Sequence, residues 1–181
     1  MSDSSAAEQL VVWTIGHSTR PIDEFIALLG AHGVRRVADV RTIPRSSRHP
    51  QFNGDRLALS LGGAGMAYRH IPGLGGLRRP RRDSTNLAWQ NESFRGYADY
   101  METTAFEDAL HELVDLAAEP TAIMCAEAVW WRCHRQLISD ALVARGIAVR
   151  HILSSGPAQP HHLTSFAVTD GGRVRYPGLL G

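Results

Sequence analysis

The sequence predicts a single three-layer α/β domain with a mainly parallel sheet of about five strands. Its 181 residues suit one domain with a sizeable core. Short apolar runs rich in β-branched residues alternate along the chain with segments whose apolar residues recur at helical spacing. Strands that alternate with helices form parallel sheets covered on both faces. We expect residues 1–9 to form a disordered tail and residues 10–181 to form the domain.

The first half of the chain alternates strand and helix twice. The apolar run at residues 10–15 predicts the first strand. Pro21 suits the first turn of a helix and Gly33 is a stop signal, so a helix is expected over residues 21–31. The pattern then repeats with a strand at residues 36–40, a helix at 54–61 and a strand at 67–71.

The second half begins with a long irregular segment. Residues 72–91 are rich in Gly, Arg and Pro, which predicts a mobile loop. Apolar residues at helical spacing from Phe106 to Ala117 predict an acidic helix. The last predicted elements are a strand at residues 121–125, a helix at 133–145 and a strand at 148–153.

The composition excludes several kinds of chemistry. All 19 basic residues are arginine, so a Schiff-base lysine, a lysine general base and a lysine-containing phosphate-binding loop are impossible. Any bound anion must therefore be held by arginine or by backbone amides. The chain has two cysteines, no apolar run long enough for a membrane span and no secretory signal. We expect a soluble, cytoplasmic protein that has no membrane partner.

The charges are unevenly distributed. From Arg35 to Arg95 arginines outnumber acidic residues by eight, whereas residues 96–131 contain eight acidic residues and no arginine. This asymmetry is typical of a surface that meets phosphate or another anion. A solvated basic loop opposite an acidic helix would give the same pattern.

Polar residues that could carry chemistry follow the predicted strands. In an open α/β sheet, ligands bind outside the carboxyl ends of the strands. Each residue alone also has a structural explanation, such as a helix cap, a buried ion pair or a small core side chain. The residues at this edge are His17 and Ser18 after the first strand, Asp39 and Arg41 after the second, Gly75 and Gly76 after the third, and Cys125 and Glu127 after the fourth.

Six sequence strings together resemble the motif set of a known family. They are TIGHSTR, DVRTIPRSSRHPQFN, HIPGLGG, FRGYADYM, MCAEAVWWRCHR and LISDALVARGIAVRHIL. This set resembles domain-of-unknown-function family 488, over about residues 14–153. The resemblance implies a compact α/β domain but no settled function. Residues 128–131 depart from the family's usual charged or turn residues. The motif residues carried over are His17, Ser18, Asp39, Arg41, Pro44, Gly75, Gly76, Arg95, Gly96, Tyr97, Tyr100, Cys125, Glu127, Arg132, Cys133, His134 and Arg135.

Cys125 is a candidate nucleophile. A thiol between a strand and a helix preceded by arginines resembles the loops that lower a cysteine pKa. However, six residues separate Cys125 from Arg132, one more than in the cysteine phosphatase loop, and Trp130 and Trp131 are bulky. A buried structural cysteine is the alternative. Cys133 and His134 are adjacent and would diverge on a helix, so we predict no metal site and no cofactor.

Three other residues are candidate acids or bases. Glu127, Asp39 and His17 could act as acid or base, or bind a ribose hydroxyl. Arginines hold phosphate bidentately, and aromatic rings beside them can stack on a base. The alternative is an ion-pair network that only fixes the strand ends. The expected ligand-binding residues are Ser18, Arg41, Gly75, Gly76, Tyr97, Tyr100, Arg132, His134 and Arg135.

The sequence leaves two function classes open. One is an enzyme or binding protein for a small anionic, nucleotide-like ligand held at the carboxyl ends of the strands. An enzyme of this class would be a hydrolase or transferase acting on a phosphorylated or nucleotide-like substrate. The other is a nucleic-acid-binding module that uses the arginine-rich segment 35–95, with Tyr68, Trp89 and Phe94 able to stack on unpaired bases. The oligomeric state is left open.

Overall fold

A six-stranded sheet forms the centre of the structure, a computed structural model that describes residues 9–179. The strand order is β3-β2-β4-β1-β5-β6; the first five strands are parallel and β6 runs antiparallel to β5. The predicted α/β class and parallel sheet are therefore confirmed. The strands of this sheet are β1 (Val11–Gly16), β2 (Arg36–Asp39), β3 (Ala67–His70), β4 (Thr121–Cys125), β5 (Ala148–His151) and β6 (Gln159–Pro160).

Helices cover both faces of the sheet. The core residues of α1 and α2 cluster on one face, and those of α3, α4 and α5 cluster on the other. Local signals set several helix ends: the side chains of Asn91 and Thr103 cap α3 and α4, and Gly33, at φ +70°, follows α1. The helices are α1 (Ile22–Ala31), α2 (Gly54–Gly63), α3 (Glu92–Tyr100), α4 (Thr104–Leu116) and α5 (Arg135–Val143).

Alternation along each strand divides the core in two. Successive side chains of a strand point to opposite faces of the sheet. In β2, Val37 packs with the α1 and α2 residues, whereas Ala38 packs with those of α3, α4 and α5. In β4, Met124 and Cys125 are divided in the same way. The side chains of consecutive residues at a strand end therefore point to different faces of the sheet.

Residues 72–91 differ from the predicted mobile loop because they pack against the domain. The side chain of Asn86 is buried and donates to Asp99 in α3, while the backbone amide of Tyr176 donates to Asn86. Trp89 packs edge-on against Phe94 and Phe166. The sequence pattern could not indicate these contacts, since Tyr176 and Phe166 lie far along the chain.

The sequence predicts no helix or strand after residue 153. The C-terminal segment adds β6 at the sheet edge and a separate hairpin of β7 (Val168–Asp170) and β8 (Arg173–Arg175). Buried Asp140 in α5 ties this segment down by accepting hydrogen bonds from His161 and from the hydroxyl group of Tyr176, at 2.8 and 2.7 Å. His161 in turn contacts His151 at 3.0 Å. The predicted tail at residues 1–9 lies, except for Gln9, outside the described residues.

Among the described residues, no helix combines the length and apolar character needed to cross a bilayer.

Buried neutral histidines should make the stability depend on pH. Desolvation lowers the pKa of His17 to about 4, with Arg41 adding to the effect, and lowers the pKa of His151 to about 2. The unfolded chain has histidine pKa values of about 6.5, so it binds more protons than the folded chain below that pH. Stability is therefore lost as the pH falls through 6.5. We expect the free energy of unfolding to drop by about 2 kcal/mol between pH 7 and pH 5.5, measured by urea unfolding.

Two variants separate this effect from general acid sensitivity. His17→Phe keeps a ring against Phe52 and should remove about half of the drop, whatever it does to stability at pH 7. His162→Gln changes an exposed histidine and should leave the drop unchanged. Equal pH profiles for the wild type and His17→Phe would contradict the prediction.

Candidate functional site

The end of β2 is fixed by a buried ion pair. Arg41 donates to both carboxylate oxygens of Asp39, through Nε at 2.9 Å and Nη2 at 2.6 Å. Tyr68 donates its hydroxyl to the same carboxylate at 2.7 Å. Burial raises the pKa of Tyr68, and Asp39 raises it further, so this hydroxyl stays protonated. Asp39 is fully buried, and its oxygens are occupied by groups that hold the strand end.

His17 belongs to the same cluster. Its ring stacks on Phe52, with centroids 4.4 Å apart, and its Nδ1 donates to the carbonyl of Ser18 at 2.9 Å. Nε2 then faces Nη1 of Arg41 at 3.4 Å as an acceptor, which agrees with the lowered pKa and a neutral ring. His17 and Asp39 therefore lie with the Phe52 core, on the α1 and α2 side of the sheet.

The two cysteines meet on the other side of the sheet. Cys125 ends β4, Cys133 precedes α5, and their Sγ atoms are 2.7 Å apart. The Cys133 carbonyl accepts from the amide of Gln136 at 3.0 Å, and its Sγ accepts from the amide of Arg135 at 3.5 Å. Cys133 thus lies at the N-terminal end of α5, where partial positive charge accumulates.

The surroundings shift the pKa values of the two thiols in opposite directions. Burial works against ionisation of Cys133, but the hydrogen bond with Cys125 and the proximity of His134 and Arg135 hold the pKa of Cys133 well below its usual value. Burial raises the pKa of Cys125 well above its usual value, and Cys133 raises it further. The ring of His134 is fixed because Nε2 donates to the carbonyl of Val40 at 2.8 Å, leaving Nδ1 3.5 Å from Sγ of Cys133. Of the two thiols, Cys133 is therefore the more acidic.

A cavity of about 360 Å³ opens above these cysteines. It lies at the carboxyl ends of β2 and β4, where ligands of α/β sheets bind. The bond from the Thr42 hydroxyl to the Gly76 carbonyl, 3.0 Å long, joins the segments after β2 and β3 along its wall. Seven predicted site residues line the cavity: Arg41, Gly76, Tyr97, Cys125, Glu127, Arg132 and His134.

The other predicted site residues lie outside the cavity lining, each held by neighbours. Asp39 and His17 are described above. Ser18 has a positive φ, and its amide donates to the Ala126 carbonyl at 3.0 Å. Tyr100 donates to the carbonyl of Gly73, and Arg78 lies over its ring.

Gly75 and Arg135 also support the cavity from outside. A side chain at Gly75 would collide with Thr42, so glycine at this position lets the segments after β2 and β3 approach each other. Buried Arg135 donates to the Thr14 hydroxyl at 3.2 Å and to the Glu127 carbonyl at 2.6 Å, bracing the segment after β4. Gly76, which does line the cavity, leaves room for the ring of His134 in the same way.

The cavity also contains residues that the sequence analysis did not select. Arg45 is exposed at its edge, as the predicted Arg132 is, and the apolar side comes from Ile43, Leu77 and Phe94. Sequence reasoning treats Cys133 only as a possible metal ligand, since the predicted helix begins at Cys133 itself, whereas α5 begins at Arg135. The contact of Cys133 with Cys125 depends on the path of residues 126–132 and had no sequence signal. The remaining lining residues are Thr42, Ser93 and Ala126.

Trp130 and Trp131, in the segment 128–131 that departs from the family pattern, do not face the cavity. Trp130 stacks on His151, with centroids 4.2 Å apart, and its Nε1 donates to Gln159 at 3.2 Å. Trp131 is 47% exposed. Neither ring lines the cavity. Within residues 9–179, no cluster of three His, Cys, Asp or Glu side chains is arranged to hold a metal ion.

The fold and the cavity define an α/β protein with a ligand-sized pocket at the carboxyl ends of a parallel sheet. The family model named Domain of unknown function DUF488 matches residues 21–142, about two thirds of the sequence, and the chain belongs to that family. No curated protein and no solved structure matched the chain in the searches.

The Asp39 cluster gives a test of its structural role. Asp39→Asn leaves Arg41 buried without its counter-charge, so we expect the free energy of unfolding to fall by about 3 to 5 kcal/mol. Tyr68→Phe removes only one hydrogen bond to the carboxylate and should cost about 1 kcal/mol. Urea unfolding measures both values.

The control for this prediction is the exposed pair of Arg69 and Glu112. Glu112→Gln should change stability by less than about 1 kcal/mol. If Asp39→Asn is no more destabilising than Glu112→Gln, the buried ion pair does not hold the end of β2.

Proposed function

We propose that this protein binds and acts on a small organic anion of nucleotide-like character in the cavity at the carboxyl ends of β2 and β4. One observation carries the proposal. Arg45, Arg132 and Glu127 are exposed at the cavity, and their side chains make no hydrogen bond or ion pair within residues 9–179. Most other charged groups nearby, such as Arg41 and Arg135, are already engaged.

The chemistry of the lining fits a ligand with a charged end and a flat apolar part. Arginine binds phosphate bidentately, and in a chain without lysine it is the side chain available for this task. Phe94, Tyr97 and Leu77 offer an apolar wall on which a base could rest. The cavity volume is within the range of small-molecule sites.

Glu127 is the better acid or base for a hydrolase or transferase reaction. Its side chain is exposed at the cavity, whereas the carboxylate of Asp39 is buried and occupied by Arg41 and Tyr68. An exposed carboxylate can accept a proton or bind a ribose hydroxyl beside the phosphate that the arginines hold. We therefore assign the proton-transfer role to Glu127 and a positioning role to Asp39.

The arginine-rich segment supports a nucleic-acid-binding function less well. Arg78 lies over the ring of Tyr100, and Arg81 pairs with Glu102 at 2.9 Å and with Asp83. A tract that binds a phosphate backbone needs its guanidinium groups available to phosphate. Trp89 is buried among other aromatic rings and is not presented to a base.

Thermal shift with AMP, ribose 5-phosphate and inorganic phosphate tests the small-ligand proposal. AMP at a concentration tenfold above its Kd should raise the melting temperature by about 3 °C. Ribose 5-phosphate should act more weakly because it lacks the base. Arg132→Ala removes a charged hydrogen-bond donor and should raise the Kd for AMP at least about tenfold, measured by calorimetry.

Arg35→Ala is the matched control. Arg35 is also an exposed arginine, but it precedes β2 and so lies at the opposite edge of the sheet. This variant should bind AMP like the wild type. If AMP binds Arg35→Ala and Arg132→Ala equally well, its site is not this cavity; if none of the three probes binds, the proposal loses its support.

A salt titration with single-stranded DNA tests the other function class. Backbone binding gives an affinity that falls steeply with salt, and each lost phosphate contact reduces the slope. The nucleic-acid module would be favoured over the small-ligand enzyme if the protein binds this DNA and the salt dependence of its affinity becomes less steep in an Arg79→Ala, Arg82→Ala double variant.

A further inference from the structure

We propose that Cys133 and Cys125 form a redox-active dithiol pair on the floor of the cavity, in which hydrogen peroxide or an organic hydroperoxide oxidises the Cys133 thiolate and Cys125 converts the product into a disulfide. This activity uses the same cavity but does not depend on an anion bound there. It assigns a nucleophilic role to Cys133 and a second, resolving role to Cys125.

The first support is the position of the two sulfur atoms. Their separation of 2.7 Å places each sulfur in direct contact with the other, on two segments that enter from different elements. A disulfide bond is about 2.05 Å long, so a small relative movement of β4 and α5 would join them. Both cysteines are free in this structure.

The second support is the connection to solvent. Cys125 is 3% exposed and Cys133 is 5% exposed, which would leave either thiol inert in an ordinary core. Here both line an open cavity. A molecule as small as hydrogen peroxide can therefore reach the sulfurs from solvent.

The third support is the asymmetry between the thiols. Sγ of Cys133 lies at the N-terminal end of α5 and accepts a hydrogen bond from the amide of Arg135 at 3.5 Å. Anions are stabilised at helix N-termini and beside such donors, and the thiolate is the reactive form of cysteine. Cys125 ends a buried strand, and burial favours its protonated form. The pair thus has one nucleophile and one thiol that can supply a proton.

The reaction balances in two steps. The Cys133 thiolate attacks one peroxide oxygen; an S–O bond forms, the O–O bond breaks and the departing oxygen leaves as water or an alcohol after taking a proton. The sulfur of Cys125 then attacks Sγ of Cys133; an S–S bond forms, the S–O bond breaks and water leaves with the proton of Cys125. In total the two thiols lose two electrons and two protons, and the hydroperoxide gains them.

Intact mass and thiol counting test the proposal on the full reduced chain. After a stoichiometric amount of hydrogen peroxide, we expect both of its cysteines to lose their thiols together and the mass to fall by two hydrogen atoms. Dithiothreitol should restore both thiols. A wild-type chain that keeps both thiols, or that forms only disulfides between chains, would overturn the proposal.

Single variants test the assigned roles. Cys125→Ser should stop at a sulfenic acid on Cys133, which dimedone traps and peptide mapping locates. Cys133→Ser retains only the protonated Cys125 and should react with peroxide at pH 6 at least about tenfold more slowly than Cys125→Ser. Equal rates, or a faster Cys133→Ser, would contradict Cys133 as the nucleophile.

A measurement on the wild type keeps the test independent of how the variants fold. When dimedone is present during oxidation, the trapped adduct should map to Cys133. An adduct on Cys125 would overturn the assignment. None of these experiments uses AMP, so their outcome and that of the ligand-binding experiment are distinguishable.

Discussion

The position of β4 in the middle of the sheet is the constraint on which the site depends. All five residues of β4 are buried, and it pairs in parallel with β1 on one side and β2 on the other. Because the carboxyl ends of parallel strands meet at one edge, this arrangement sets Cys125 between the segments that follow β1 and β2. The amide of His17 donates to the Cys125 carbonyl at 2.9 Å, and the amide of Val40 donates to the Met124 carbonyl at 3.0 Å. The segments after β1 and β2 are thus tied to the central strand by backbone hydrogen bonds, and the segment after β2 lines the cavity.

The polar residues fall into two groups, a structural support on one face of the sheet and the cavity lining on the other. The support consists of Asp39 and His17 on the α1 and α2 side: Arg41 and Tyr68 donate to Asp39, and the ring of His17 stacks on Phe52. The cysteines and Phe94 belong to the α3, α4 and α5 side, next to the open volume. Arg41 is common to both, since its guanidinium binds Asp39 and it also lines the cavity. Substitutions in the support should therefore act on stability first, and those in the cavity on chemistry.

The course of the segment after β4 depends on its close approach to the backbone at Gly16. A side chain at Gly16 would collide with the carbonyl of Glu127, so only glycine allows these segments to pass each other. Arg135 donates to that same carbonyl from the start of α5. This combination holds Glu127 at the cavity and returns the chain so that Cys133 meets Cys125. The spacing between Cys125 and Arg132 does not need to match a phosphatase loop, because the reactive thiol that this geometry favours lies after the loop, at Cys133.

The sequence by itself determined the order and type of the main elements. Apolar β-branched runs predicted the five parallel strands to within two residues, and apolar residues at helical spacing, with stop residues such as Gly33, predicted four of the five helices. These features are local, so they can be seen in a single sequence. The shared edge of His17, Asp39, Arg41, Cys125 and Glu127 also followed, because parallel strands end on one side.

Only the tertiary structure decided which of those residues face the cavity. The alternation within β2 and β4 fixes the face, but the sequence does not reveal which helices cover each face or where a cavity remains. The contact between Cys125 and Cys133 depends on an irregular turn, and the packing of residues 72–91 depends on Tyr176 and Phe166 at the far end of the chain. Such contacts have no periodic pattern, since they arise from the meeting of segments that are distant or irregular in sequence. They exist only once the sheet order has brought those segments together.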